Sequence, residues 1–109
     1  MIYLEWTELA EEQKERIVDY IALDNAPAAV AMDTLIGNSA ESLVPQPEKG
    51  KPGRVPGTRQ LVFHAHYMLV YKYSLETGCV SILNVLHTFR QWPQNFPVID
   101  APEHVPRRL

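Results

Sequence analysis

Residues 59–64, 67–73 and 79–86 are three runs rich in valine, leucine, isoleucine and tyrosine, parted only by Ala65-His66 and by residues 74–78, where Glu76-Thr77-Gly78 can turn. Gaps this short join neighbouring antiparallel strands, because a parallel crossover takes about a dozen residues or more. The runs therefore predict an antiparallel meander. The second and third are apolar at odd and even positions alike, which places them centrally or under cover. Tyr67, Tyr71 and Tyr73 share one face of the second strand, and that stripe reads as core packed against helices.

The first half has a different period. Ile2, Leu4 and Trp6 alternate with Tyr3 and Glu5, as in a short strand. Thr7 can then cap a helix whose first turns hold Glu8, Glu11 and Glu12, where carboxylates face the positive end of the helix dipole. Leu9, Ile17, Tyr20 and Ile21 recur at helical spacing and predict its buried face. Asp24-Asn25-Ala26-Pro27 ends this helix near Leu23 and starts a second, running from about residue 27 to 43. Its alanines favour close packing in an αα-hairpin. Residues 44–57 hold four prolines and three glycines and predict a loop. The order β-α-α-β-β-β makes an α+β domain, with the hairpin on one face of a mainly antiparallel four-stranded sheet. The opposite face is then partly open. The domain spans residues 1–93, and the proline-rich tail 94–109 is expected to be extended.

No apolar run approaches the roughly 18 residues needed to span a bilayer, and the start of the chain lacks the features of a signal peptide. The single cysteine, Cys79, reads as a small strand residue. Together these features point to the cytoplasm. The formal charge of −3 hides an uneven division. Residues 1–48 carry ten acids against Lys14 and Arg16, whereas residues 49–109 carry eight bases against Glu76, Asp100 and Glu103. Either the second half meets an anionic partner, or an acidic helical layer neutralises a basic sheet layer within the molecule.

Gly53-Arg54-Val55-Pro56-Gly57-Thr58-Arg59-Gln60-Leu61-Val62, His66-Tyr67-Met68-Leu69-Val70-Tyr71 and Val85-Leu86-His87-Thr88-Phe89-Arg90-Gln91-Trp92-Pro93 resemble the RelE/ParE superfamily of toxins from type II toxin–antitoxin modules. The element order matches that fold over residues 1 to about 93. The resemblance implies a cognate antitoxin as partner, and a target that is either DNA gyrase (ParE-like) or messenger RNA on the ribosome (a RelE-like mRNA interferase). Ribonucleases of the RelE type place an arginine where this chain has Met68. They also carry a tyrosine late in the fold, and none follows Tyr73. These departures direct the expectation to the ParE-like branch and to gyrase.

If the chain is a ribonuclease, cleavage by 2′-hydroxyl attack needs a base, an acid and a cation for the charged phosphate. His87, Arg90, Arg59 and Lys72 are the candidates, with His64 and His66 beside them. His87 and Arg90 would flank one phosphate if the chain turns helical between them. Equally, His87 can be a strand-end residue bonded to backbone, and Arg90 and Arg59 can pair with helix acids. Lys49, Lys51, Arg54, Arg59, Arg90 and Trp92 are the candidate contacts to a partner or nucleic acid. Trp92 can alternatively anchor the chain end under the helices. Gly50-Lys51 looks like a fragment of a phosphate loop, but Pro52 stands where serine or threonine is needed. His64 and His66 flank a turn, so a metal site is not expected, and no cofactor is implied. The antitoxin is expected to fold on binding and to carry an acidic tail that meets the basic half.

Overall fold

The computed structural model describes residues 1–88. Its elements are β1 (Tyr3–Trp6), α1 (Glu8–Ala22), α2 (Ala26–Glu41), β2 (Lys51–Pro52), β3 (Arg59–His64), β4 (Tyr67–Ser74) and β5 (Cys79–His87). The sheet order is β1-β5-β4-β3-β2. The two strands that are apolar on both faces, β4 and β5, lie inside the sheet, as their pattern requires.

One expectation about the sheet is corrected. It has five strands rather than four, because the proline-rich loop contributes Lys51 and Pro52, paired with Gln60 and Arg59. Pro52 has no N–H to donate, so this pairing can only be a short edge. β1 returns parallel to β5, with Tyr3 opposite Cys79 and Trp6 opposite Ile82, while the other pairings are antiparallel, so the sheet is mainly antiparallel as expected.

The helix starts follow from their caps. The Ala10 N–H donates to the Thr7 hydroxyl oxygen at 3.1 Å, and that hydroxyl lies 3.0 Å from the Ile82 carbonyl and 3.3 Å from that of Leu83. At α2 the Ala28 N–H donates to Asn25 Oδ1 at 3.0 Å. Thr7 also stands at an irregularity of β5. Val70 pairs with Asn84 while Tyr71 pairs with Ile82, leaving Leu83 as an extra residue. Beyond Ile82, no strand among the described residues covers the far side of β5. There the Val85 N–H donates to Gln13 Oε1 of α1 at 2.8 Å. Thr7→Ala should therefore lose a cap and a bond to the bulge together, lowering stability by about 1–2 kcal/mol. Urea unfolding checks this, and a variant as stable as wild type would contradict it.

The main core joins Ala10, Met32, Ile36, Ala40 and Leu43 to Leu69, Tyr71, Val80, Ile82 and Val85. Tyr67 and Tyr73 pack at its margin, so the tyrosine stripe is core as expected. Tyr20 departs from its helical pattern: it is 73% exposed, as is Leu23 at 85%. It lies between Ile17 and Ile21, which do pack on the core, and the helix rotates it off that face. The other face of the sheet is partly closed by the loop, since Val55 and Leu86 pack on Met68 and Val70. Val62 and Lys72 remain exposed there. No helix among the described residues is long and apolar enough to cross a membrane.

Candidate functional site

The basic loop is fixed at one point by a buried hydroxyl. Tyr71 of β4 has no exposed surface. Its hydroxyl accepts from the Gly50 N–H at 2.9 Å and donates to the Pro47 carbonyl at 2.8 Å. Burial raises the pKa of this phenol above its ordinary value, partly countered by its bond to Gly50 and by the nearby Arg59 guanidinium. Arg59 Nη1 donates to the carbonyls of Gly50 at 2.6 Å and Glu48 at 3.2 Å. Gly50 fits nothing larger, because a Cβ would lie 2.7 Å from the Gln60 carbonyl oxygen and 2.8 Å from the Tyr71 ring. Lys49 Nζ donates to Ser42 Oγ at 2.9 Å, while Lys51 and Arg54 are exposed.

At the opposite end of β4 four rings meet. His64 ends β3, His66 lies in the turn, Tyr67 opens β4 and His87 closes β5 opposite Tyr67. Ring centroids are 5.5 Å apart for His64–His66, 5.7 Å for His66–His87, 5.3 Å for Tyr67–His87 and 5.6 Å for His64–Tyr67. The His66 N–H donates to His64 Nδ1 at 3.0 Å. That nitrogen is therefore unprotonated, and a neutral His64 carries its proton on Nε2. Among the described residues no three histidine, cysteine, aspartate or glutamate side chains are set to hold a metal ion.

The three histidines meet, but the described cations proposed for phosphate chemistry do not join them. Lys72 lies five residues along β4 from Tyr67, the partner of His87. That is about 16 Å of strand, and odd and even positions face opposite sides. Arg59 is opposite Tyr71, about 13 Å from the histidine end. Arg90 and Trp92 lie outside the described residues. Among the described residues the salt bridge is Lys14–Asp33, at 3.4 Å and within the hairpin.

Residues 4–92 match the family model of the ParE toxin of the type II toxin–antitoxin system parDE. The chain belongs to the ParE toxin family. As a member it is a type II toxin of the RelE/ParE superfamily. It is 36% identical over 92 residues to Y4kP of Sinorhizobium fredii, whose name assigns it provisionally as a toxin, covering 84% of this chain and 93% of that protein. The fold is similar to a solved chain of the chromosomal ParDE system from P. aeruginosa, with a TM-score of 0.70 at 23% identity over 80% of this chain and 96% of that one. It is also similar to a chain of the RelBE2 toxin–antitoxin complex from Mycobacterium tuberculosis, with a TM-score of 0.58 at 22% identity over 79% and 90% of the two chains. The ParE-type departures at Met68 and after Tyr73 thus agree with the family match.

Sequence reasoning missed the histidine cluster. Ala65-His66 looked like a break between two ligands, but a two-residue turn sets His64 opposite Tyr67, and the next hairpin brings His87 to the same tyrosine. The register of two hairpins was the available signal.

Proposed function

We propose that this chain arrests growth by binding and inhibiting DNA gyrase, with no chemistry of its own, until a cognate antitoxin neutralises it. The observation that supports this reading is the separation of the described cations, Lys72 and Arg59, from the histidine cluster. His87 and Lys72 stand at opposite ends and on opposite faces of β4 and β5, and Arg59 is committed to loop carbonyls. A catalytic site needs its groups within hydrogen-bond reach of one atom.

The antitoxin would use the side of β5 beyond Ile82. No described strand covers β5 there, which leaves room for an added strand that would displace the Gln13 contact, and Tyr20 and Leu23 of α1 are exposed apolar residues. An antitoxin segment that folds in this place, and whose acidic tail meets the basic half, fits both features.

The histidine cluster supports a second reading, the mRNA interferase. His64 with Nε2–H as acid, and His66 or His87 as base, would flank a phosphate beside Tyr67. Adding the purified chain to a supercoiling reaction with gyrase, and separately to translating ribosomes, tests the choice. Loss of supercoiling with intact messages is the expected result. Codon-dependent cuts with normal supercoiling would replace the first reading by the second.

A further inference from the structure

The end of α1 carries apolar surface that the described residues leave open. Tyr20 and Leu23 are both largely exposed and stand three residues apart on one face of the helix. Acids outnumber bases around them: Glu15, Asp19 and Asp24 are exposed there, against the exposed Arg16. The last turn of α1 holds no basic residue, so no cation within it meets the negative end of the helix dipole. The chemistry that suits this face is apolar and cationic together.

β5 ends beside this face. Thr7 lies at the Ile82 and Leu83 carbonyls, and Gln13, six residues on, reaches the Val85 N–H. α1 and β5 therefore advance in the same direction. From Gln13 the helix rises about 15 Å to Leu23, and from Val85 the strand has about 10 Å left to Thr88, so both finish at one end of the domain. The chain that follows Thr88 is Phe89-Arg90-Gln91-Trp92-Pro93-Gln94-Asn95-Phe96-Pro97-Val98-Ile99. It is rich in aromatic and aliphatic residues, has Arg90 as its one charge, and carries no acid before Asp100. Four extended residues span at most about 14 Å, which brings Trp92 into range of Tyr20 and Leu23.

We propose that residues 89–99, which lie outside the described residues, dock on the end of α1 in the free chain, with Trp92 over Tyr20 and Leu23 and Arg90 toward Asp19. A second copy of the chain fits this face less well, because Asp19 and Asp24 would meet their own counterparts across a two-fold axis. The segment is already joined to the fold, so it covers the face without the translational cost that a separate partner bears. Docking hides apolar surface that otherwise invites association. The inference concerns the chain before its antitoxin binds and does not rest on the toxin reading above.

The test reads Trp92 in the full chain. Trp6→Phe leaves Trp92 as the one tryptophan. Its emission should be blue-shifted relative to the same chain in urea, and Tyr20→Ser with Leu23→Ser should move it back to the red while the domain stays folded. Melting temperatures of chains that keep Trp6 give an independent measure. Tyr20→Ser with Leu23→Ser, and separately Trp92→Ala, should each lower the melting temperature by about 4–8 °C. All three changes together should cost little more than either set alone, because they remove one shared contact. If Trp92 emits in the folded chain as it does in urea, there is no docking and the proposal falls. A blue-shifted Trp92 indifferent to Tyr20 and Leu23, or melting shifts that simply add, puts its contact elsewhere and equally overturns it. Emission that moves with protein concentration would assign the face to a second copy instead.

Discussion

Tyr71→Ala should cost about 3–5 kcal/mol, the loss expected when a buried aromatic side chain leaves a cavity. Tyr71 has no exposed surface and packs in the core cluster with Leu69, Val80 and Ile82. Tyr71→Phe keeps the ring and isolates the hydroxyl. It leaves the Gly50 N–H and the Pro47 carbonyl without their partner, at a cost of about 1–3 kcal/mol. Urea unfolding of both variants separates packing from hydrogen bonding. The phenol also makes stability depend on alkaline pH. Its folded pKa is raised, so the folded state holds this proton more tightly than the unfolded chain. The contribution is fully present below the unfolded pKa of about 10 and falls as pH rises through the folded value. Wild type should lose stability from about pH 10 upward, and Tyr71→Phe should lose less over the same range. Equal alkaline slopes would show that another group controls this limb.

The meander was legible because its signals are local. β3 spans the alternating run from Arg59 to His64, and the caps at Thr7 and Asn25 follow from residue type next to a helical pattern. What the sequence hid depends on distant pairing. Nothing within Tyr3–Trp6 says that it lies parallel to β5, and a two-residue strand containing Pro52 has no periodicity to detect. Tyr20 satisfied the helical spacing, yet a helix has a margin as well as a face, and only the packed sheet decides between them. The site followed the same division. Charge separation was readable by counting. That Arg59 turns its guanidinium to two loop carbonyls was not, because those carbonyls come from residues 48 and 50 in a loop whose path is set by Tyr71. The three histidines were all visible in the chain, but their meeting needed two registers.

Induction of the chain without its antitoxin should abolish colony formation, and co-expression of the antitoxin should restore it. The order of events then separates the two targets. A gyrase inhibitor halts replication and leaves existing messages intact, so DNA synthesis should fall before protein synthesis. An interferase reverses that order. Replacing His64, His66 and His87 together by alanine sharpens the comparison. Two of the rings are only half-buried and His66 is exposed, so most of the fold's core is untouched by the change. General acid–base groups contribute about 100–10,000-fold to a cleavage rate, and their loss would end toxicity if RNA were the substrate. With gyrase as the target, the triple variant should arrest growth as wild type does, provided its melting temperature shows that the β3–β4 turn still forms without the His66-to-His64 bond. A folded triple variant that permits normal growth would assign the cluster to catalysis, and the gyrase reading would give way to RNA cleavage.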